Sequence, residues 1–174
     1  SDALKETIQK VGFTPVMWKT GHSLIKEKMK SVGAVFGGEM SGHLFFADTY
    51  YGYDDAIYAA LRLIELLDSS DKKLSDLFDE IPRYYSTPEI RSKCSDEIKF
   101  DIVDRCANYF SGKYECDLID GVRINFDHGW GLVRASNTEP VIVSRFESKL
   151  PELLDDYKTL VSDKIKLFSN EYAE

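Results

Sequence analysis

Apolar positions in the first part of the chain predict helices that alternate with short strands. Leu4, Ile8 and Val11 recur at helical spacing, which predicts an amphipathic helix at the start. Compact apolar runs at 13–18 and 34–36 predict two strands, the second of them buried, with a helix between them. This order predicts a βαβ unit with parallel pairing, because parallel strands need a long crossover connection.

A further strong helix pattern follows the adjacent residues Asp54 and Asp55, with Ile57, Leu61 and Ile64 on one face. Acidic side chains at such a position can cap a helix and complement its dipole. Capping is therefore the simpler interpretation of this aspartate pair.

The pattern changes after Ile81 and Pro82, where we predict a domain boundary. A helix pattern comes next, and three strand-like runs then lie at 120–126, 129–134 and 141–146. A long apolar stripe at 150–168 predicts a closing helix. The chain is thus predicted to be an α/β domain with a partial parallel sheet at 1–80, followed by a small α+β domain at 81–174. The second domain is expected to carry helices on one face of an antiparallel sheet.

The composition is that of a globular protein, and its net charge argues against polyanionic partners. The chain has 174 residues, of which 43% are hydrophobic and 13% aromatic. Its net charge of −8 argues against nucleic acid or an anionic membrane as a partner. The three cysteines are far apart and form no Cys-x-x-Cys pair, which is typical of reduced thiols. No secretory leader or spanning run is evident, so a cytoplasmic protein is expected.

The first loop whose side chains can bind a ligand is residues 37–43, GGEMSGH, directly after the predicted buried strand. Its glycines let the backbone approach a ligand closely. Glu39 and Ser41, two residues apart in an extended loop, would point the same way and offer a carboxylate and a hydroxyl to sugar hydroxyls. His22 and His43 both lie beside glycines, and an imidazole can donate to a phosphate or move a proton near neutral pH. A solvated glycine-rich turn is the alternative.

The second loop is residues 134–140, RASNTEP, between two predicted strands. It combines a guanidinium, two hydroxyls, an amide and several backbone N–H groups, a set of donors that suits a phosphate dianion. Arg134 would supply the charge and the fork geometry. A polar hairpin with ordinary Ser/Asn turn chemistry is the alternative. The third histidine, His128, follows Asp127 in a predicted tight turn and is expected at the surface.

Taken together, the loops resemble the α-D-phosphohexomutase superfamily. Residues 38–43 are similar to the family's sugar-binding loop, and residues 134–140 are similar to its phosphate-binding loop. Residues 19–23, KTGHS, and 52–55, GYDD, also resemble family segments and occur in the same order. The resemblance covers essentially the whole chain.

Two positions favour one branch of that superfamily. Met40 and Asn137 resemble the bacterial phosphomannomutase/phosphoglucomutase enzymes more than the phosphoglucosamine mutases. Family members have four domains, and the resemblance implies that 1–80 is the later part of the third, sugar-binding domain. By the same resemblance, 81–174 is the fourth, phosphate-binding domain, and the missing N-terminal domains belong to the same chain.

The resemblance implies an activity for the complete enzyme. A phosphoserine gives its phosphoryl group to a hexose 1-phosphate, a hexose 1,6-bisphosphate turns over, and the other phosphate returns to the serine. The implied sugar-binding residues are His22, Glu39, Ser41 and His43, with His43 also a candidate for proton transfer. The implied phosphate-binding residues are Arg134, Ser136, Asn137 and Thr138.

Two parts of that machinery are missing from this sequence. It holds neither the segment with the nucleophilic serine nor the Asp-Gly-Asp-x-Asp-Arg segment that binds Mg²⁺ in the family, and Asp54 and Asp55 do not replace the latter. No metal ligands are therefore predicted in the fragment, and the fragment alone is expected to be inactive. The alternatives are a non-catalytic module that binds sugar phosphates, a phosphoglucosamine mutase, and a purely structural protein whose loops are coincidental. The contacts do not distinguish mannose from glucose.

Overall fold

Helices and strands in the computed structural model, which describes residues 1–172, gather into two units. The small unit comprises Gly12–Ile81. The sheet unit comprises Ser1–Val11 together with the chain from Pro82 onward. The N-terminal helix therefore packs with the later part of the chain, whereas the sequence division at residue 80 groups it with the earlier part.

The small unit consists of a short antiparallel hairpin and three helices. Its elements are α2 (His22–Val32), β1 (Phe36–Gly38), β2 (Leu44–Phe46), α3 (Ala56–Asp68) and α4 (Leu74–Asp79), where α1 is the N-terminal helix (Asp2–Lys10). Strand β1 pairs antiparallel with β2, with Gly38 opposite Leu44. Phe45 at the centre of β2 is fully buried, and Met29 of α2 is nearly so. These two side chains form the apolar interior of this unit.

The predicted mixture of helices and strands is confirmed, but parallel pairing is not found within residues 1–172. Residues 13–18 form no strand, and the predicted buried strand at 34–36 instead leads into β1, where Phe36 remains 47% exposed. A strand is defined by its hydrogen bonds to a neighbour, and no described strand lies beside 13–18. The chain instead reverses directly after β1, so that β1 and β2 pair as a hairpin.

Within residues 1–172, the sheet unit contains six strands, and all of their pairings are antiparallel. Its strands are β3 (Tyr85–Ser86), β4 (Ile90–Lys93), β5 (Glu115–Asp117), β6 (Val122–Phe126), β7 (Gly129–Ala135) and β8 (Val141–Ser148). The order is β3-β8-β7-β6-β5, and β4 pairs with the other end of β8. Helices α5 (Lys99–Ser111) and α6 (Pro151–Asn170) complete the unit together with α1.

The core of the sheet unit lies between one face of the sheet and helices α5 and α6. Alternate residues of β6, β7 and β8 face these helices, as the period of two in a strand requires. The buried cluster includes Ile102, Cys106, Phe110, Val122, Ile124, Val133, Ile142, Phe146, Val161 and Ile165. The predicted α+β architecture is therefore confirmed.

Helix α1 contacts side chains on the opposite face of this sheet. The buried carboxylate of Glu147 accepts hydrogen bonds from the backbone N–H of Asp2 and from the indole of Trp130, both at 2.9 Å. Arg123 donates to the Asp2 carboxylate at 2.7 Å and stacks over Trp130. These polar contacts attach the first helix to the sheet unit.

The cysteines behave as predicted. Cys94, Cys106 and Cys116 are free thiols, and burial raises the pKa of all three, that of Cys106 to about 12. A thiol that stays protonated is a poor nucleophile and a poor metal ligand, so these side chains serve packing. Separately, none of the helices in residues 1–172 combines the length and apolar composition needed to cross a membrane.

Candidate functional site

The loop at 39–43 is the connection of the β1–β2 hairpin. The backbone N–H of Glu39 donates to the carbonyl of His43 at 2.9 Å, and the N–H of Gly42 donates to the carbonyl of Glu39 at 3.0 Å. Gly42 has a φ of +94°, which side-chain-bearing residues rarely adopt. The chain reverses at this loop, so that β1 and β2 pair antiparallel. The polar side chains of the loop are held by a closed, hydrogen-bonded turn.

The Glu39 carboxylate joins this turn to the start of α2. One of its oxygens, Oε1, accepts a hydrogen bond from the N–H of Gly21 at 2.8 Å, and Oε2 accepts one from the Ser41 hydroxyl at 3.2 Å. Gly21 is the N-cap residue of α2, where the helix dipole favours a negative charge. Glu39 and Ser41 therefore lie together, and the carboxylate keeps further lone pairs for a ligand.

Two histidines share one aspartate beside this turn. The ring centroids of His22 and His43 are 4.4 Å apart. Nδ1 of His43 donates to Oδ2 of Asp54 at 2.7 Å, and Nε2 of His22 lies 3.7 Å from the same oxygen. Because an ionised carboxylate only accepts, this bond places a proton of His43 on Nδ1, and in the neutral imidazole Nε2 then carries the lone pair.

Backbone pairing explains why Asp54 reaches the histidines. Asp54 forms an isolated antiparallel bridge with Phe45, the buried centre of β2. The edge of the His22 ring also lies against Phe45, with centroids 5.6 Å apart. We define His22, Glu39, His43 and Asp54 as the histidine cluster. Two of its members, His22 and Asp54, are positioned by contacts with Phe45.

Sequence reasoning missed this role of Asp54, because it assigned one role to both aspartates. Only Asp55 caps α3: its carboxylate accepts from the N–H of Tyr58 at 2.9 Å and from the hydroxyl of Tyr50. These two hydrogen bonds lower the pKa of Asp55. No local signal separates the two roles, since the bridge between Asp54 and Phe45 is a tertiary contact.

Arg134 of the second loop lies at the end of β7. Its neighbours Val133 and Ala135 are buried against the helices, so its side chain is on the opposite face of the sheet. The side chain remains 24% exposed, and its guanidinium is 3.7 Å from the Asp120 carboxylate. An anion would meet a positive group that is only weakly paired.

Ser136 organises the rest of the second loop. It is buried, and its hydroxyl oxygen accepts hydrogen bonds from the N–H groups of Thr138 and Glu139 at 3.3 and 3.1 Å. The oxygen is therefore occupied as an acceptor, while the hydroxyl proton remains available to a ligand. Asn137 and Thr138 are exposed at the tip of the loop.

Lys99 stabilises the same loop through a backbone carbonyl, a role that no pattern in the sequence indicated. Its side chain is only 4% exposed, and its ammonium group donates to the carbonyl of Glu139 at 3.1 Å. It also pairs with Asp96 at 2.6 Å. A buried lysine near the start of a helix has no sequence signature of its own, because lysines in that pattern usually face solvent.

The structure thus forms two clusters from the predicted residues, one in each unit. The small unit holds His22, Glu39, Ser41 and His43, and the sheet unit holds Arg134, Ser136, Asn137 and Thr138. In the small unit, the N–H of Gly21 holds the Glu39 carboxylate. In the sheet unit, the Ser136 hydroxyl accepts hydrogen bonds from the N–H groups of Thr138 and Glu139.

Comparison with known proteins identifies the family of this chain. Residues 1–85 match the family model described as phosphoglucomutase/phosphomannomutase, alpha/beta/alpha domain III. Residues 89–164 match the one described as phosphoglucomutase/phosphomannomutase, C-terminal domain. The chain therefore belongs to the phosphoglucomutase/phosphomannomutase family and represents its third-domain and C-terminal-domain regions.

Individual relatives agree with this assignment. A phosphomannomutase/phosphoglucomutase of Pseudomonas aeruginosa is 47% identical over 89% of this chain and 34% of its own length. A phosphoglucomutase of Neisseria gonorrhoeae is 43% identical over 81% of this chain and 31% of its own length. The crystal structure of a phosphoglucomutase/phosphomannomutase family protein from Burkholderia thailandensis matches with a TM-score of 0.84 and 38% identity. That match covers 95% of this chain and 35% of that one. The chain thus spans about a third of the length of these relatives.

The described residues do not provide a site for Mg²⁺, the metal that the family resemblance implies. Within residues 1–172, the cluster of potential metal ligands consists of His22, Glu39 and His43. Magnesium prefers an octahedral shell of oxygen ligands, and two of these three groups are imidazoles. These three side chains therefore do not fit a magnesium ion.

Proposed function

We propose that the protein containing this chain interconverts hexose 1-phosphates and hexose 6-phosphates of mannose, glucose or both, through a phosphoserine and a hexose 1,6-bisphosphate. This chain would supply the groups that grip the substrate. The observation that carries the proposal is the closed hairpin turn at 39–43, which holds Glu39, Ser41 and His43 together beside His22.

The sugar end of the proposal rests on the hydrogen-bonding capacity of that turn. The Glu39 carboxylate is fixed by Gly21 and Ser41, so little side-chain entropy remains to be lost when it accepts hydrogen bonds from vicinal sugar hydroxyls. A substrate that must bind in two opposite orientations needs a few polar contacts that serve both poses. A carboxylate beside a hydroxyl meets this requirement, because together they accept from and donate to either pair of hydroxyls.

The phosphate end rests on Arg134 and the loop that Ser136 and Lys99 hold in place. Arg134 offers a fork of N–H donors, and the exposed Asn137 and Thr138 add an amide and a hydroxyl. We propose that this loop holds the phosphate that is not being transferred. The reacting phosphate would face groups supplied by the missing N-terminal domains.

His43 is the proposed proton-transfer group on this chain. Its hydrogen bond to Asp54 fixes the ring and directs the lone pair of Nε2 away from the aspartate. From that position, the imidazole could take a proton from a sugar hydroxyl as it attacks phosphorus and return one to the leaving oxygen. The complete protein is proposed to work in the cytoplasm and to need the N-terminal domains and Mg²⁺ for turnover.

Amide NMR titration of this chain with glucose 1-phosphate tests the binding half of the proposal. We expect amides in both loops to shift at millimolar ligand, since a chain that carries only part of the proposed substrate contacts binds weakly. Glu39→Gln should abolish the shifts at 38–43 while leaving those at 134–139 detectable. Absence of shifts in both loops would contradict the proposal, and mutase turnover by the fragment would contradict its predicted inactivity.

A further inference from the structure

The side chains of the histidine cluster also have the composition of a metal-binding site. One ligand atom each from His22, Glu39 and His43 lies within 4.8 Å of the other two. Two imidazoles and one carboxylate are the donor set of open zinc sites, in which three protein ligands leave the fourth position free. We propose that these three side chains bind a divalent transition-metal ion of the Zn²⁺ class.

The arrangement needs only a small adjustment to close around an ion. Ligands at zinc distances of about 2.0–2.2 Å lie roughly 3.3 Å apart in a tetrahedral site. The side chains of His22 and His43 are 46% and 42% exposed, so neither is enclosed in a packed core. His22 can therefore shift toward Glu39 while His43 keeps its hydrogen bond to Asp54. The carboxylate itself is already fixed at the start of α2 by the N–H of Gly21.

An independent feature supports the same assignment. In protein metal sites, a ligating histidine usually donates its other ring N–H to a carboxylate. Asp54 accepts such a bond from Nδ1 of His43 at 2.7 Å, so Nε2 of this ring is assigned to the metal. The charges are also favourable. The carboxylates of Glu39 and Asp54 together neutralise the double positive charge of the ion, and neutral imidazoles add none.

Occupation of this site would compete with sugar phosphates. The ion would take the Glu39 carboxylate that we propose as the acceptor for sugar hydroxyls. This competition rests on the proposed function, whereas metal binding itself does not. The site is thus predicted to be inhibitory, in contrast to the Mg²⁺ that the complete enzyme is proposed to need.

Co²⁺ is a suitable probe, because its visible absorption is strong in four- or five-coordinate sites and weak in octahedral ones. The full-length protein, freed of any histidine tag, would be titrated with Co²⁺ in excess Mg²⁺, so that oxygen-rich sites stay filled. We expect an intense visible band that saturates at one ion per chain and disappears when Zn²⁺ is added. An absent band, or one that Zn²⁺ does not remove, would overturn the proposal.

Variants locate the ion. His22→Ala, His43→Ala and Glu39→Gln should each raise the dissociation constant for Co²⁺ by roughly a hundredfold or more, and Asp54→Asn by roughly tenfold. His128→Ala is the matched control, since His128 is an exposed histidine of the sheet unit, and it should leave the titration unchanged. If the His22 or His43 variant failed to fold by circular dichroism, the isosteric Glu39→Gln variant would still decide. Equal binding by Glu39→Gln and the unsubstituted protein would overturn the assignment.

Addition of glucose 1-phosphate separates this proposal from the proposed function. A rise in the apparent dissociation constant for Co²⁺ supports both the metal site and the sugar contact at Glu39. Unchanged, site-specific Co²⁺ binding in saturating sugar phosphate supports the metal site and counts against Glu39 as a sugar contact. Loss of sugar-phosphate binding in a variant that still binds Co²⁺ would identify a sugar contact outside the metal ligands.

Discussion

Replacement of Arg134 by alanine in the full-length protein is the most direct functional perturbation that the structure suggests. Arg134 lies on the face of the sheet opposite helices α5 and α6, and its only described carboxylate neighbour within 4 Å is Asp120, at 3.7 Å. A partly exposed pair at this distance contributes less than about 1 kcal/mol to stability. The variant should therefore fold, and its effect on activity should report the lost ligand contact.

The size of that effect follows from the type of contact. A charge-assisted hydrogen bond to a phosphate contributes about 1.5–3 kcal/mol. Its loss corresponds to a decrease in kcat/KM of roughly ten- to a hundredfold. Because the proposed contact is to the phosphate that does not react, it is made equally in the ground state and the transition state. Most of the loss should therefore appear as a higher KM and less as a lower kcat.

Steady-state kinetics with glucose 1-phosphate and mannose 1-phosphate measure this prediction. Arg134→Lys, which keeps the charge and loses the fork geometry, should fall between the alanine variant and the unsubstituted protein. Arg105→Ala is the matched control, since Arg105 lies on α5 and pairs with Glu171 of the helical layer. A kcat/KM for Arg134→Ala within about twofold of that of the control would remove Arg134 from the phosphate site.

Two further predictions concern the sheet unit, and urea denaturation measures both. Glu147→Leu removes the acceptor of the buried indole of Trp130 and should lower the free energy of unfolding by about 2–4 kcal/mol. Glu147→Gln keeps an acceptor oxygen, so it should lower the free energy of unfolding by less than half as much. Equal losses would show that the hydrogen bond is not the cause. Gly129→Ala would place a Cβ 2.0 Å from the carbonyl oxygen of Glu147 and should cost about 2–3 kcal/mol. The matched Gly112→Ala variant meets nothing closer than 3.7 Å and should change stability little, so similar midpoints for the two would refute the steric argument.

The sheet unit was largely predictable because its signals are local. Val122 and Ile124 alternate with polar residues, and this period of two marks the buried face of β6 without reference to any other strand. Similarly, the apolar stripe at 150–168 already identifies the buried side of α6. The first helix was predicted correctly along the chain, but its attachment to the sheet unit depends on Glu147, which is more than a hundred residues away.

The small unit was less predictable, because pairing decides the identity of a strand. The apolar runs at 13–18 and 34–36 have the composition of buried strands, yet the first is unpaired within the described residues. The second leads into β1, where Phe36 is 47% exposed. The three-residue strand β1 has little periodicity of its own, so hydrogen bonding to β2 determines its direction.

The sequence alone established which chemical groups this protein carries and where they stand along the chain. Glycines beside Glu39 and donors after Arg134 can be recognised locally, since composition and spacing set the capacity of a loop to bind a ligand. Tertiary structure alone decided which groups meet: Asp54 joins the two histidines, and Lys99 donates to the carbonyl of Glu139 in the loop at 134–140. The physical reason is that such contacts depend on backbone pairing and burial between distant segments, and these leave no mark in the residues on either side.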